Sequence, residues 1–317
     1  MKTVIAVDIG TTSLRATLYD EQGAALHAEQ RHNPPTYFDD GRVEQDPASW
    51  LNHLLDMLRA TAQAAAHLQA EPTCMAVTAQ RSSLIVVDVQ GRPLHPAILW
   101  QDSRCTALAQ GMAEHDPLVY ARTGLKISPV FSAIKMAWLR RERPALWAAA
   151  HKLLGVQDWV LHGLTGRYAT DHSLASRTNL LNLHTRQWDA ELLALFGVPQ
   201  HLLCDLVPPG AVVGGLTAAV ATASGLQMGL PVVSAGGDQQ CAALGLGLLS
   251  PGHAVANTGT GSYLIGHAQA PALDPFMRVS CNVAAAPGAY IVEAAALTTG
   301  SAQRWLMGLL GLDADDP

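Results

Sequence analysis

The stretch AVDIGTTSLRATLYD at 6–20 limits the fold more than any other part of the chain. One acid, Asp8, breaks an apolar run, and a glycine and three hydroxyls fill positions 10–13 before a second β-compatible run begins. Two such runs around a glycine read as strands joined by a tight reversal. The pattern predicts a strand over 3–7, a return over 14–19, a turn at Glu21-Gln22-Gly23 and a third strand over 24–29. Residues 253–266 repeat the device, with runs at 253–257 and 262–266 around Thr258-Gly259-Thr260-Gly261.

Between these meanders, strand and helix signals mix. Asp46-Pro47 caps a helix carrying Trp50, Leu51, Leu54, Leu55 and Leu58 at helical spacing. Apolar runs at 74–78 and 84–88 read as strands, 97–102 ends in polar residues, and 132–150 and 188–196 read as helical. No charge occurs between Asp205 and Asp238, yet Pro208, Pro209, Gly214, Gly215, Gly225, Gly229 and Pro231 interrupt that stretch. A bilayer span needs about 20 predominantly apolar residues, so a loop, a short helix over 217–224 and a buried strand over 231–235 are expected instead. Gly236-Gly237 opens a further helix, and Ser250-Pro251-Gly252 marks a boundary. The expected class is α/β, with units at 1–249 and 250–317.

Composition narrows the partners. The length of 317 residues and the 49% hydrophobic content suit two domains. A net charge of -6 without a basic block argues against nucleic acid and anionic membrane, leaving small molecules. Met1 leads straight into a strand with no signal-peptide pattern, so a cytoplasmic location is expected. The five cysteines are scattered and read as free thiols, and none of the thirteen histidines forms a metal-spaced pair. Neither a G-x-S-x-G elbow nor a G-x-x-x-x-G-K-[ST] loop is present.

Four segments carry polar residues where strands end. Asp8 can sit near a metal, and Gly10 lets backbone N–H groups approach phosphate oxygens. Thr11, Thr12 and Ser13 add donors and Arg15 a charge, although a hydroxyl-rich β-turn explains the same letters. Gly259, Thr260 and Gly261 form a second such loop or a plain hairpin turn. Facing loops would hold a polyphosphate from both sides. Asp238 either accepts a proton from a substrate hydroxyl or caps a helix, and on spacing alone the cap is favoured. Gln80, Arg81, Trp100 and Asp102 suit a polyhydroxylated ligand; a structural ion pair for Arg81 and a core role for Trp100 are the alternatives.

Taken in order, AVDIGTTSLRATLYD, AQRSS, ILWQDSR, TDHSLASRTNLLNLHTRQWD, SAGGDQQCAALG, ANTGTGSYLIG and TTGSAQRWL resemble the FGGY carbohydrate kinases of the actin, hexokinase and Hsp70 ATPase superfamily. The resemblance implies a ribonuclease H-like mixed-sheet domain, followed by the start of a second domain of the same type. It implies transfer of the γ-phosphoryl group of ATP, with Mg2+, to a sugar or polyol hydroxyl. Asp8 then serves the metal, Gly10, Thr11, Thr12, Ser13 and Arg15 the first phosphate loop, and Gly259, Thr260 and Gly261 the second. Gly300 and Arg304 fall on the nucleotide side. Asp238 matches the base, and Gln239, with Gln80, Arg81, Trp100 and Asp102, the acceptor contacts. Glycerol kinases carry an acid after the arginine and a Tyr where Val130 stands. Ser82 and Val130 therefore disfavour glycerol. Xylulose kinases carry Met-His where Gln80-Arg81 stands, but their Trp-Asn-Asp-x-Arg segment resembles Trp100-Gln101-Asp102-Ser103-Arg104, so a pentulose such as xylulose is expected; gluconate kinases share the SxAS stretch. The family's Gly-Gly-Gly-Ala adenosine segment is missing, which implies an incomplete second domain, exposed apolar surface, and poor stability or self-association, a homodimer included. A catalytically silent sugar- or nucleotide-binding fragment is the alternative reading.

Overall fold

The computed structural model describes residues 1–258, 262–296 and 299–312. Its main sheet is built from β1 (Lys2–Ile9), β2 (Ser13–Asp20), β3 (Ala25–His32), β4 (Glu71–Ala79), β5 (Val212–Gly215) and β6 (Pro231–Gly237). Across the sheet the order is β5-β6-β4-β1-β2-β3. The expected meander is present, with β1 antiparallel to β2 and β2 to β3. In contrast β4 runs parallel to both β1 and β6, and β5 is antiparallel to β6.

This mixed sheet has a simple origin in the sequence. The turn at 10–12 is too short for anything but an antiparallel return, whereas the passage from β3 to β4 carries the helix α1 (Pro47–His67), long enough for a parallel crossover. Asp46 caps α1 by accepting from the Ala48 N–H, and Trp50, Leu54, Met57 and Leu58 turn its apolar stripe onto the sheet. The helix α2 (Val156–Thr165) adds Val160, Leu161 and Leu164 to the same core.

An excursion of small elements between β4 and β5 builds a second core around Ile134, Leu139, Leu180 and Phe196. Helices at Ser132–Glu142 and Pro144–Ala149 divide the single helix expected over 132–150, because Pro144 has no N–H to continue it. After β6 comes α3 (Asp238–Gly245) and then a four-stranded sheet. Its strands β7 (Ala254–Thr258), β8 (Ser262–Ala268), β9 (Ser280–Val283) and β10 (Tyr290–Ala296) lie in the order β7-β8-β10-β9, every pair antiparallel. The helix α4 (Gly300–Leu310) follows. The second sheet does not stand apart: Cys281, Val283 and Tyr290 share a core with Ala175, Leu181 and Leu183 of the excursion.

Among the described residues no helix is long and apolar enough to cross a membrane. All five cysteines are free. Trp305 (68%) and Leu309 (68%) on α4 and Leu264 (55%) on β8 are exposed, the apolar surface expected of the second unit.

Candidate active site

The parallel strands bring the polar segments together. In register, Ile9 pairs with Ala79 and Ala79 with Gly237, so Gly10, Gln80 and Asp238 leave three adjacent strands at one level and on one edge. In open α/β sheets, a crevice at the carboxyl ends of the strands is where ligands bind. Gly10 closes the first turn by donating to the Ser13 carbonyl at 3.0 Å, and a Cβ there would lie 2.9 Å from that oxygen. Gly237 lets the Arg81 stem cross the strand end, since a Cβ would come within 3.0 Å of its Cγ and Cδ.

Asp238 is the first residue of α3. The cap position belongs to Gly237, so the plain N-cap reading of Asp238 does not hold. Its side chain keeps 33% exposure into a cleft, and the Arg81 Nε stands 3.4 Å from its Oδ1. Burial raises the Asp238 carboxyl above its ordinary range, and Arg81 opposes that rise. The cleft, of about 410 Å³, is walled by Arg81, Ser82, Trp100, Val130, Gln239 and Tyr263, with Thr11 and Arg177 also lining it.

Arg81 is buried and paired, as its bland alternative foresaw, but the pairing spans the two sheets. Its guanidinium donates to Glu293 of β10 at 3.0 and 3.3 Å and to Gln240 at 3.3 Å. Arg177 approaches the same Glu293 carboxylate at 3.5 Å. Burial alone would raise the Glu293 carboxyl, but Arg81 and Arg177 outweigh it and hold it below its usual range. Two guanidiniums thus share one buried acid at the cleft floor, while one of them also orients Asp238.

Thr11 joins the wall of the cleft. Trp100 Nε1 donates to Thr11 Oγ1 at 3.1 Å, and Thr11 Oγ1 donates to Gln80 Oε1 at 3.2 Å. Gln80 therefore supports the wall from behind, itself only 2% exposed. Gln239 faces the cleft and accepts from Asn257 Nδ2 of β7 at 3.4 Å. Thr12 and Ser13 stay at the first turn, and Arg15 lies opposite Asp8 in the β1–β2 register. Asp102 requires a correction. Both its oxygens are taken, Oδ1 by the Arg104 N–H and Nε and Oδ2 by the Val43 N–H and Arg104 Nη2, and it is 1% exposed. It holds the loop after Trp100 and is not among the residues that line the cleft.

Asp8 is exposed at the end of β1. Its surroundings nevertheless push its carboxyl up to about 6, through burial first and Asp238 second, with Arg15 opposing. The described residues hold no group of three or more metal-ligating side chains. Mg2+ does not need one, since it is usually held by one or two carboxylates plus substrate phosphates and waters. The surplus negative charge that Asp8 and Asp238 create fits such an ion. Gly259, Thr260 and Gly261 lie outside the described residues, as does the Arg304 side chain; Gly300 opens α4.

Comparison with known proteins gives the family and the fold. The profile of the FGGY family of carbohydrate kinases, N-terminal domain, matches residues 3–245. The chain belongs to this family. A curated relative, glycerol kinase from Alkalilimnicola ehrlichii, is 34% identical across 98% of this chain and 64% of its own length. Among solved structures, the xylulose kinase of Rhodospirillum rubrum is 28% identical with a TM-score of 0.94, over 99% of this chain and 64% of that one. A structure titled as a xyloylose kinase from Brucella ovis is 29% identical with a TM-score of 0.93, over 98% and 64%. The FGGY chain thus spans about 64% of the length of these relatives, and its fold is the mixed-sheet, actin-like fold they share.

Sequence reasoning missed Arg177 and Glu293. Glu293 left one signal, being the only charged residue between Arg278 and Arg304 and standing in the apolar run YIVEAAA.

Proposed function

We propose that this FGGY chain carries the acceptor site of a sugar kinase, in which Asp238 is the general base for phosphoryl transfer from ATP to a sugar hydroxyl. The observation that supports this most is the Asp238 carboxylate, one-third open to a walled polar cleft and steadied by Arg81. An acceptor hydroxyl lying against Asp238 gives up its proton to the carboxylate as its oxygen bonds to the γ-phosphorus. The bond from that phosphorus to the bridging oxygen breaks, and ADP leaves. Such transfer depends mainly on positioning and charge neutralisation. Arg81 and Gln239 orient the acceptor, Trp100 offers an apolar face with its polar tip tied to Thr11, and the backbone around Gly10 takes the phosphates. Asp8 would hold Mg2+, which when bound neutralises charge on the transferring phosphates. On this reading residues 1–249 form the acceptor domain and residues from 250 onward begin the nucleotide side, with Gly259, Thr260, Gly261, Gly300 and Arg304 toward ATP.

For the acceptor we propose a pentulose such as xylulose. The curated relative named above is a glycerol kinase, yet at the two positions of Ser82 and Val130 this chain offers neither a carboxylate nor a phenol hydroxyl to a three-carbon triol. A cleft of about 410 Å³ also has room for a longer chain. ADP release measured with xylulose, gluconate and glycerol in turn tests the assignment. Xylulose is expected to give the highest kcat/KM, and a higher value for glycerol would refute the pentulose reading. Tight acceptor binding with no ADP release would favour a binding protein instead.

A further inference from the structure

Lys135 stands out among the buried groups that the proposed chemistry does not use. It lies in the helix Ser132–Glu142 and is fully buried, at 0% exposure. Among the described residues no carboxylate pairs with it. Instead its Nζ donates to three backbone carbonyls, those of Pro129 at 2.7 Å, Val130 at 2.5 Å and Ser82 at 3.3 Å. An ammonium has three N–H donors and no acceptor, so three converging carbonyls satisfy it completely.

Those carbonyls come from two segments that both border the cleft. Ser82 follows the end of β4, and Val130 precedes the helix that carries Lys135; both residues line the cleft. Ser82 is also held in the left-handed region at φ 65, a conformation that costs a non-glycine residue about 1–3 kcal/mol and persists where its surroundings enforce it. Two contacts enforce it here. Lys135 holds its carbonyl, and its hydroxyl donates to the Arg177 carbonyl at 3.3 Å.

We infer that Lys135 is a positioning residue that fixes the distance between the Ser82 and Val130 walls and thereby sets which acceptor the cleft selects. It touches no ligand itself. The inference rests on the acceptor-site reading above and adds the device that gives that site its shape. No other side chain can replace the tripod: Met keeps the stem and removes all three donors, Gln keeps only two, and the planar fork of Arg is too wide for carbonyls that close on a single nitrogen.

The test is titration calorimetry of the full chain and of Lys135→Met with xylulose, gluconate and glycerol, and separately with ADP. The Met variant is expected to bind the best wild-type acceptor roughly tenfold more weakly, because the Ser82 and Val130 walls leave their native spacing. The ratio between best and worst acceptors should shrink by a similar factor, while ADP affinity changes by less than about twofold. A merely structural lysine would lower the melting temperature and leave that ratio unchanged, which overturns the inference. If Lys135→Met does not fold, the same ratio is read on Lys135→Gln. A wild-type chain that binds none of the three acceptors refutes the acceptor-site reading itself, and the inference falls with it.

Discussion

Replacing Glu293 with Gln removes the carboxylate that two guanidiniums share while keeping its shape and one acceptor oxygen. In the native chain Glu293 is 5% exposed and accepts from Arg81 at 3.0 and 3.3 Å, with Arg177 at 3.5 Å. Removing one partner of a buried ion pair costs about 3–5 kcal/mol, because the remaining charge stays buried without its counter-ion. Asp238 still faces Arg81, and Gln retains an acceptor, so the lower end applies, about 3 kcal/mol. At about 2 °C per kcal/mol for a chain of this size, the melting temperature should fall by about 6 °C. A second consequence is specific to the site. Glu293 raises the Asp238 carboxyl, so its neutralisation should lower the Asp238 pKa and shift the acid limb of acceptor-dependent turnover to lower pH. Differential scanning fluorimetry and a pH–rate profile read the two effects. A variant that melts within about 1 °C of the parent, with an unchanged profile, would refute the shared ion pair as a feature of the folded chain.

Asp8→Asn tests the crowding of charge at the end of β1. The Asp8 carboxyl lies near 6 in the folded chain against 3.8 ordinarily, so the folded state binds more protons between those values. Stability should therefore fall as pH rises from about 4 through 6, and the penalty is full above that range. Asp8→Asn should melt higher than the parent at pH 8, with the gap narrowing toward pH 4, and should lose the extra stabilisation that Mg2+ adds to ADP. A gap that does not depend on pH would count against the raised carboxyl. Trp100→Phe keeps the aromatic face but removes the 3.1 Å bond to Thr11. One neutral hydrogen bond is worth about 1 kcal/mol of stability, and with the ring no longer tied to Thr11 acceptor binding should weaken while ADP binding stays unchanged, by calorimetry. Equal acceptor affinity would remove Thr11 and Trp100 from the wall.

What could be read from the sequence was what depends on near neighbours along the chain. The first turn, the Asp46 cap, the strand before Gly236-Gly237 and the polar residues at strand ends all follow from local spacing. Misreadings arose where a partner comes from far away. Asp102 looked like a ligand contact because it follows Trp100 and Gln101, but its carboxylate is taken up by the Val43 N–H, 59 residues distant, as well as by Arg104. Asp238 looked like a helix cap because it sits at a helix start, and only the backbone shows that Gly237 holds the cap. Glu293 and Arg81 are 212 residues apart, and no periodicity in either segment announces their pairing. Thr11 sits in a turn suited to phosphate, yet its hydroxyl lies between Trp100 and Gln80, 89 and 69 residues on. Local chemistry thus identified the strand ends, and tertiary pairing determined which of their side chains face the cleft.

In the proposed reaction Asp238 takes the proton from an acceptor bound in this cleft. This step is tested most directly by following acceptor-dependent ADP release in Asp238→Asn beside the parent chain, with acceptor and ADP affinities measured on the same samples. Asn keeps the size and the contact with Arg81 but cannot hold the proton at pH 7. The account predicts kcat lower by about 10²–10⁴-fold, the usual range for general acid–base catalysis, with both ligands still bound. Turnover by Asp238→Asn at the parent rate would contradict it.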